Sequence, residues 1–509
     1  MAPLPRTYRI LRAIVRGALR LFFREIDVEG REHLPGDRGG LLVAWHPNGI
    51  IDAGIMLAAF PGHVVFGARD GLLRWPLIGW VMRRMGTVPI YRAKDHIGEG
   101  EAARREANAR SLDALAAAIA SGSFSALFPE GQSHDAPHVT ALKSGAARLF
   151  LRAREMAEGD GASGQWPVAD GTRPEETAEP SATASSSLAT GPPEASGGSP
   201  VIVPVGLHYD AKAVFRSDVL VVFHPPLAVA PEADARELTG AMEVALDQAV
   251  SSTDDWDLHH TMMRAASLVR AEAAAREGRR AEPAPLAERR LDFEQMWTGY
   301  HARRETHPDE IEALRREVAA YRRKLGLLGM DDADLDRPVR SAPTQFVRTA
   351  LQGVLAYVVL RPLLVIGMIV NAPPYWALKP LAKRVATAEK DTATVKLLGG
   401  MVLFPLAWIA AALFAVAGLA PLRTVAPWVP DAPLAIGLGA FVLSIVGAVV
   451  ALRGSELTVE TWRALRARWT RRRHAGHVER LRATRGDLFD RLVAMAQAPE
   501  AVPPGASGV

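Results

Sequence analysis

Two short segments carry residues that can move a proton and hold an anion. HPNGIID at 46–52 contains an imidazole and, with five residues between, a carboxylate; FPEGQSHD at 128–135 contains a carboxylate, a glycine and several side-chain donors. A turn at Pro47, Asn48 and Gly49 that opens a helix brings Asp52 back to His46 and fixes the tautomer of the ring. That pair is the His and Asp half of a catalytic triad, with a substrate hydroxyl in place of serine. Taken alone, His46 has a plainer account as a histidine in a turn. Gly131 permits close approach of backbone amides to an anion. Gln132, Ser133 and His134 add donors, and Lys143 lies just downstream. Glu130 orients an arginine or accepts from a substrate hydroxyl; an ordinary strand-to-turn junction is the alternative.

Two further stretches belong with these. GTVPIYR at 86–92 sets Gly86 before a short strand and Arg92 at its end, and arginine suits bidentate recognition of phosphate. VIVPVGLHY at 201–209 places Pro204 inside an apolar strand, which predicts an edge strand or a bulge, since proline has no N–H for the ladder.

The elements that must position these residues follow from the hydropathy pattern. Apolar, β-favouring runs predict strands at 41–45, 64–68, 88–91, 124–128, 201–207 and 219–223. Helical periodicity predicts helices at 53–60, 75–85, 101–120 and 142–156, a rhythm that implies an α/β domain. Both chemical segments begin where a strand gives way to turn residues, where loops carry function. Residues 158–200 are rich in Gly, Ala, Ser, Thr, Pro and Glu, a composition unable to repay its ordering entropy, and they read as a disordered insertion.

The 509 residues contain no cysteine, which excludes disulfides, thiolate metal sites and a cysteine acyl-enzyme. Arginine supplies nearly all the positive charge: eight of the 60 basic residues are lysine. With the abundant alanine this suggests a GC-rich bacterial genome. Arg9, Arg12, Arg16 and Arg20 interrupt the apolar run at the start of the chain, so residues 1–24 read as a basic amphipathic helix, not a secretory signal. Such a helix lies in a membrane interface or packs as an ordinary surface helix. Residues 232–337 are charged and helical in pattern, with Ile311, Leu314, Val318, Tyr321 and Leu325 at three- and four-residue steps.

The last third changes solvent. The apolar stretches at 397–420 and 433–452 are long enough to cross a hydrocarbon layer and form a transmembrane hairpin over 397–452. The arginine-rich tail 453–509 is then cytoplasmic by the positive-inside rule, as is the lysine-bearing loop before the pair. A third stretch, 347–370, holds Arg361 and Pro362 and reads as a re-entrant or interfacial element, because a central arginine is expensive in lipid.

The ordered set of His46 with Asp52, GTVPIYR, FPEGQS and VPVG resembles the four motif blocks of the glycerolipid acyltransferase family, which includes glycerol-3-phosphate and 1-acylglycerol-3-phosphate acyltransferases. It covers about residues 25–231. FPEGQSHD with Lys143, and FRS at 215–217, look closer to the glycerol-3-phosphate or dihydroxyacetone-phosphate branch. The expected fold is therefore an α/β acyltransferase-like domain, a mixed sheet flanked by helices, followed by the helical segment and the C-terminal α-helical membrane region read above. It implies that His46 deprotonates the acceptor hydroxyl and Asp52 orients it. Gly86, Arg92, Glu130, Gly131, Gln132, Ser133 and Lys143 would bind the phosphate acceptor, and Pro204 would shape the acyl-donor side. The implied reaction moves a fatty acyl group from acyl-CoA or acyl-ACP to glycerol-3-phosphate or a related acceptor, with neither cofactor nor metal, at the cytoplasmic face of a bacterial inner membrane. The chain departs from the family in two places: five residues, in place of the usual four, separate His46 from Asp52, and Trp45 replaces the Asn often found before the His.

Other readings are a lysophosphatidate acyltransferase, a membrane scaffold without catalysis, a metal-dependent hydrolase using His259 and His260, and nucleic-acid binding by the tail. The hydrolase lacks metal-ligand spacing. Trp462 and Trp469 among the tail arginines suit an anionic lipid surface better than nucleic acid.

Overall fold

A computed structural model of the chain describes residues 4–91, 101–159, 198–279, 281–282, 284–336, 351, 361–386 and 388–496. Seven strands pair into one sheet: β1 (Glu25–Glu29), β2 (Gly40–Ala44), β3 (Val64–Arg69), β4 (Val88–Ile90), β5 (Phe124–Leu127), β6 (Val201–Tyr209) and β7 (Asp218–Phe223). Their order is β1-β7-β6-β2-β5-β3-β4, antiparallel between β6 and β7 and parallel elsewhere. β2 is buried throughout and reads as a continuous apolar run, as a strand covered on both faces must. β1, with the sequence EIDVE, lies at the sheet edge and alternates charge with apolar residues, so hydropathy alone passes over it.

Pro204 corrects one expectation. Its strand is neither an edge nor bulged: β6 runs between β7 and β2, with Pro204 opposite Val43 and Val205 opposite both Ala44 and Phe223. The Pro204 carbonyl accepts from the His224 amide, one residue past the end of β7. Carbonyl and nitrogen of a strand residue point to the same side, so the missing N–H falls where the neighbouring ladder has already stopped.

The chain divides into two compact units. The first comprises residues up to Asp254 together with 388–394, and so runs past the boundary expected at 231. Its helices are α1 (Arg6–Phe22), α2 (Ile50–Ala59), α3 (Asp70–Leu73), α4 (Pro76–Arg84), α5 (Glu101–Ala120), α6 (Gly145–Glu158) and α7 (Ala235–Val250). α7 belongs here because Leu238, Met242 and Leu246 join the core that Leu41, Val43 and Val65 form with Leu115, Ile119, Leu149 and Phe150. Asp234 starts α7 with a capping box closed by Glu237. α1 packs on α2, with Leu19 and Val15 against Gly54. Two of its five arginines turn inward: Arg12 donates to the carbonyls of Phe60 and Pro61, and Arg16 to that of Ala58, capping the C-terminal end of α2. Its other face leaves Ile10, Ile14 and Leu21 exposed beside Arg9 and Arg20. The insertion expected to be disordered falls almost wholly outside the described residues.

The second unit is helical. α8 (Trp256–Arg276), α9 (Leu286–Arg303), α10 (Pro308–Leu327) and a terminal helix, Ala475–Ala496, share a core into which α10 sends Leu314, Val318, Tyr321 and Leu325. The terminal helix is α15; the longer helices before it are α11 (Arg361–Val385), α12 (Glu389–Ala417) and α14 (Pro433–Arg473), with the short α13 (Leu419–Val425) between the last two. Lys390–Ala417 and Pro433–Gly454 are long and apolar enough to cross a membrane. Much of the 347–370 stretch lies outside the described residues; its end opens α11, which runs on through Pro373, Pro374 and Pro380. Within this unit Asn371 donates to the carbonyls of Gly367 and Ser444 and accepts from the Trp408 indole.

Candidate active site

The site forms where parallel neighbours end together. β2 sits between β5 and β6, so the residues that follow Ala44 and Leu127 and the last residue of β6, Tyr209, meet at the carboxyl edge of the sheet.

After β2 the chain turns through HPNG into α2. Gly49 has φ +57° and ψ −134°, a conformation open to glycine, and Asp52 follows in the first helical turn. The turn absorbs the extra residue between His46 and Asp52. Asp52 is fully buried, and its Oδ2 accepts from the Asn48 amide at 2.7 Å and lies 2.8 Å from His46 Nδ1. A first-turn carboxylate that reaches back to a preceding amide is also favoured by the helix dipole. The bond at Nδ1 leaves Nε2 as the nitrogen available for a substrate proton. The imidazole stacks on Phe128 with centroids 3.9 Å apart and planes 9° from parallel. That stacking and the Asp52 contact fix both the position and the tilt of the ring.

The second segment is stitched to the first through Glu130, which is almost completely buried. Its Oε2 accepts from the His46 amide at 2.9 Å. Its Oε1 accepts from His134 Nε2 at 2.6 Å and from the Thr140 amide and hydroxyl at 2.8 and 3.2 Å. His134 Nδ1 accepts from the Ala136 amide, so His134 has its proton on Nε2, and the His134 amide returns a bond to the His46 carbonyl at 3.1 Å. Both carboxylate oxygens of Glu130 are therefore engaged by the protein's own donors. Gly131 adopts φ +71°, and a Cβ there would come within 2.6 Å of Lys143 Nζ. Glycine thus lets the lysine lie over the loop, while the Lys143 amide donates to the Pro129 carbonyl.

The remaining candidates are placed as follows. Gln132 is exposed and Ser133 half-buried on the same loop as Gly131. Gly86, at φ +77°, closes α4, donating to the Arg83 carbonyl, and leads into β4. Arg92 lies outside the described residues; the preceding Tyr91 is clamped by Asn108, which accepts from its amide and donates to its carbonyl. Pro204 is buried mid-strand, five residues before the strand end that carries Tyr209. Among the described residues no group of three His, Asp or Glu side chains is placed to hold a metal ion.

Three contributors escape motif reading. The Tyr209 hydroxyl donates to Asp52 Oδ1 at 2.5 Å. The Asn48 side chain donates to the Lys212 carbonyl, and Lys212 donates to Asp135 Oδ1 at 2.6 Å and to the Pro47 carbonyl. A signal for Tyr209 existed in its position at the end of a strand predicted beside other site-bearing strands.

A histidine–aspartate pair on a turn, a buried carboxylate clip and an open Nε2 together suit proton abstraction from a hydroxyl. Residues 25–168 match the model of the Acyltransferase family. The matched segment contains both chemical motifs and ends within the stretch whose structure is not described. No curated protein matches the chain. Among solved structures, the 1-acyl-sn-glycerophosphate (LPA) acyltransferase PlsC from Thermotoga maritima is similar at 16% identity, with a TM-score of 0.31, over 48% of this chain and 78% of that one.

Proposed function

We propose that the protein is a membrane-bound O-acyltransferase that moves a fatty acyl group from an acyl thioester to the hydroxyl of glycerol-3-phosphate or a related phosphate acceptor. The observation that carries this reading is the His46–Asp52 pair, 2.8 Å apart and tied through Glu130 to the FPEG loop. His46 Nε2 takes the acceptor's hydroxyl proton as the oxygen attacks the thioester carbonyl. The C–O bond forms, the tetrahedral intermediate expels the thiolate, and the imidazolium returns its proton to that sulfur. Asp52, bonded at Nδ1, stabilises the imidazolium in between. No covalent acyl-enzyme is needed, in keeping with a chain that has no cysteine.

Glu130 serves this chemistry by holding the His46 backbone. The acceptor phosphate is assigned to Arg92 and Lys143, with the Gly131 loop, Gln132 and Ser133 as further donors and Gly86 shaping the turn before Arg92. Pro204 is assigned to the acyl-donor side.

The bilayer enters the reading through exposed apolar surface. α12 leaves Met401, Leu406, Ile409, Leu413 and Phe414 uncovered, and α14 leaves Leu434, Leu438, Val442, Val446 and Val449 uncovered, a cost in water that lipid removes. The exposed stripe of α1 beside Arg9 and Arg20 suits the interfacial placement of a basic amphipathic helix.

An acceptor screen tests the reading: purified full-length protein in anionic vesicles receives a labelled acyl thioester with glycerol-3-phosphate, dihydroxyacetone phosphate or lysophosphatidate. Label transferred to glycerol-3-phosphate or dihydroxyacetone phosphate supports it. Transfer to lysophosphatidate alone moves the protein to the other branch, and transfer to none leaves the scaffold reading.

A further inference from the structure

The Asp52 carboxylate receives bonds from three directions, and one comes from a strand distant in sequence. Oδ2 is shared by the Asn48 amide and His46 Nδ1, whereas Oδ1 is held by the Tyr209 hydroxyl at 2.5 Å. We propose that Tyr209 is a positioning residue that locks the Asp52 carboxylate and, through it, the His46 ring in the orientation needed for proton abstraction. The proposal rests on the reading of His46 as the general base.

The need for such a lock follows from the local geometry. With both local bonds on Oδ2, the carboxylate can swing about its terminal torsion, which has only broad preferences. A donor on Oδ1 stops that swing. HPNGIID also contains one residue more than the family's spacing and places Gly49 in an unusual backbone conformation, so the turn needs an anchor outside itself. Tyr209 supplies it from β6, whose backbone is fixed by ladders to β2 on one side and β7 on the other. The phenol ring adjoins Phe23 at 6.0 Å between centroids. Burial, then the charge of Asp52 and the bond to it, hold the Tyr209 phenol well above its ordinary range, so its hydroxyl stays a donor at neutral and mildly alkaline pH. The charged or titratable groups facing it are Asp52 and, behind that carboxylate, His46; the Asn48 amide is the uncharged polar neighbour.

Tyr209→Phe in the full-length protein removes the hydroxyl and keeps the ring. The expected result is a ~10- to 100-fold fall in kcat, a part of the ~10²–10⁴-fold that a well-placed general base contributes. KM for the acceptor and for the thioester should change by less than about twofold, because the Tyr209 hydroxyl is committed to Asp52, a split that separates transition-state from ground-state effects. The kcat–pH profile should move as well, because the bond removed is one to the carboxylate that stabilises the imidazolium. A double-mutant cycle gives the second arm: in an Asp52→Asn background, Tyr209→Phe should cost little more, because both act through one carboxylate.

A Tyr209→Phe enzyme with wild-type kcat and an unmoved profile would overturn the proposal while leaving His46 as the base. Losses that add fully in the cycle would overturn it too, including in the case where Tyr209→Phe lowers the unfolding temperature and only the folded fraction is assayed. The separate control is His46→Ala: turnover retained there removes the base reading itself, a failure distinguishable from either of these.

Discussion

A carboxylate gains its role from what surrounds it, and Asp52 and Glu130 show two outcomes beside one histidine. Asp52 faces the ring of His46, whereas Glu130 faces its backbone and closes a reciprocal pair of bonds with His134. Glu130→Gln places an amide N–H where donors already point. It should destabilise the protein by about 1–3 kcal/mol, the cost of an unsatisfied buried group, and lower kcat with little change in acceptor KM. Thermal unfolding with steady-state kinetics checks this; a rise in acceptor KM alone would instead indicate direct contact with substrate. Gly131→Ala should cost about 1–2 kcal/mol from its left-handed backbone, more if Lys143 cannot move aside, as read by denaturant unfolding. The contact of His46 with Asp52 was legible, because a turn that opens a helix brings a first-turn carboxylate back toward the residue before it. Tyr209 and the clip formed by Glu130 were not, because each depends on which strands become neighbours across more than 80 residues of chain.

At the level of elements, apolar runs announced six strands and left β1 unseen, since its edge position lets charge alternate through it. Pro204 misled because the penalty for proline depends on which way its nitrogen faces, and a neighbouring strand that stops one residue earlier removes it. The arginines of α1 likewise divide between two tasks that spacing alone could not separate, two capping α2 and three facing outward. Tyr8 pins this helix to β3: its hydroxyl accepts from the Val64 amide and contacts the Val64 carbonyl. Burial raises its phenol to about 12. The unfolded chain releases that proton near pH 10, so the stabilisation is complete below ~pH 10 and declines as pH rises toward the folded value, by at most about 2–3 kcal/mol. Tyr8→Phe should flatten this alkaline loss, measured as the unfolding midpoint against pH together with tyrosinate absorbance. An unchanged slope would mean that other groups govern it.

Over the whole molecule, one unit holds the candidate site and the other the long apolar helices. The latter were legible from length and charge alone. How the stretch at 347–370 begins was not, since an arginine beside a proline admits several backbone paths. The bonds of Asn371 to α14 and to Trp408 show one polar group serving three helices. Asn371→Leu should lower stability in detergent by about 1 kcal/mol, as for other interhelical bonds between membrane helices, without abolishing insertion. The full chain should stay with the membrane after an alkaline carbonate wash; release into the supernatant would count against the two spans.

The most direct test of the account is acyl transfer by full-length His46→Ala, compared with wild type in the same vesicles under saturating thioester and the best acceptor of the screen. Loss of a general base predicts a fall in kcat of about 10²–10⁴-fold, with membrane insertion and unfolding temperature unchanged. Turnover near the wild-type rate in the purified variant would contradict the assignment of His46 as the base.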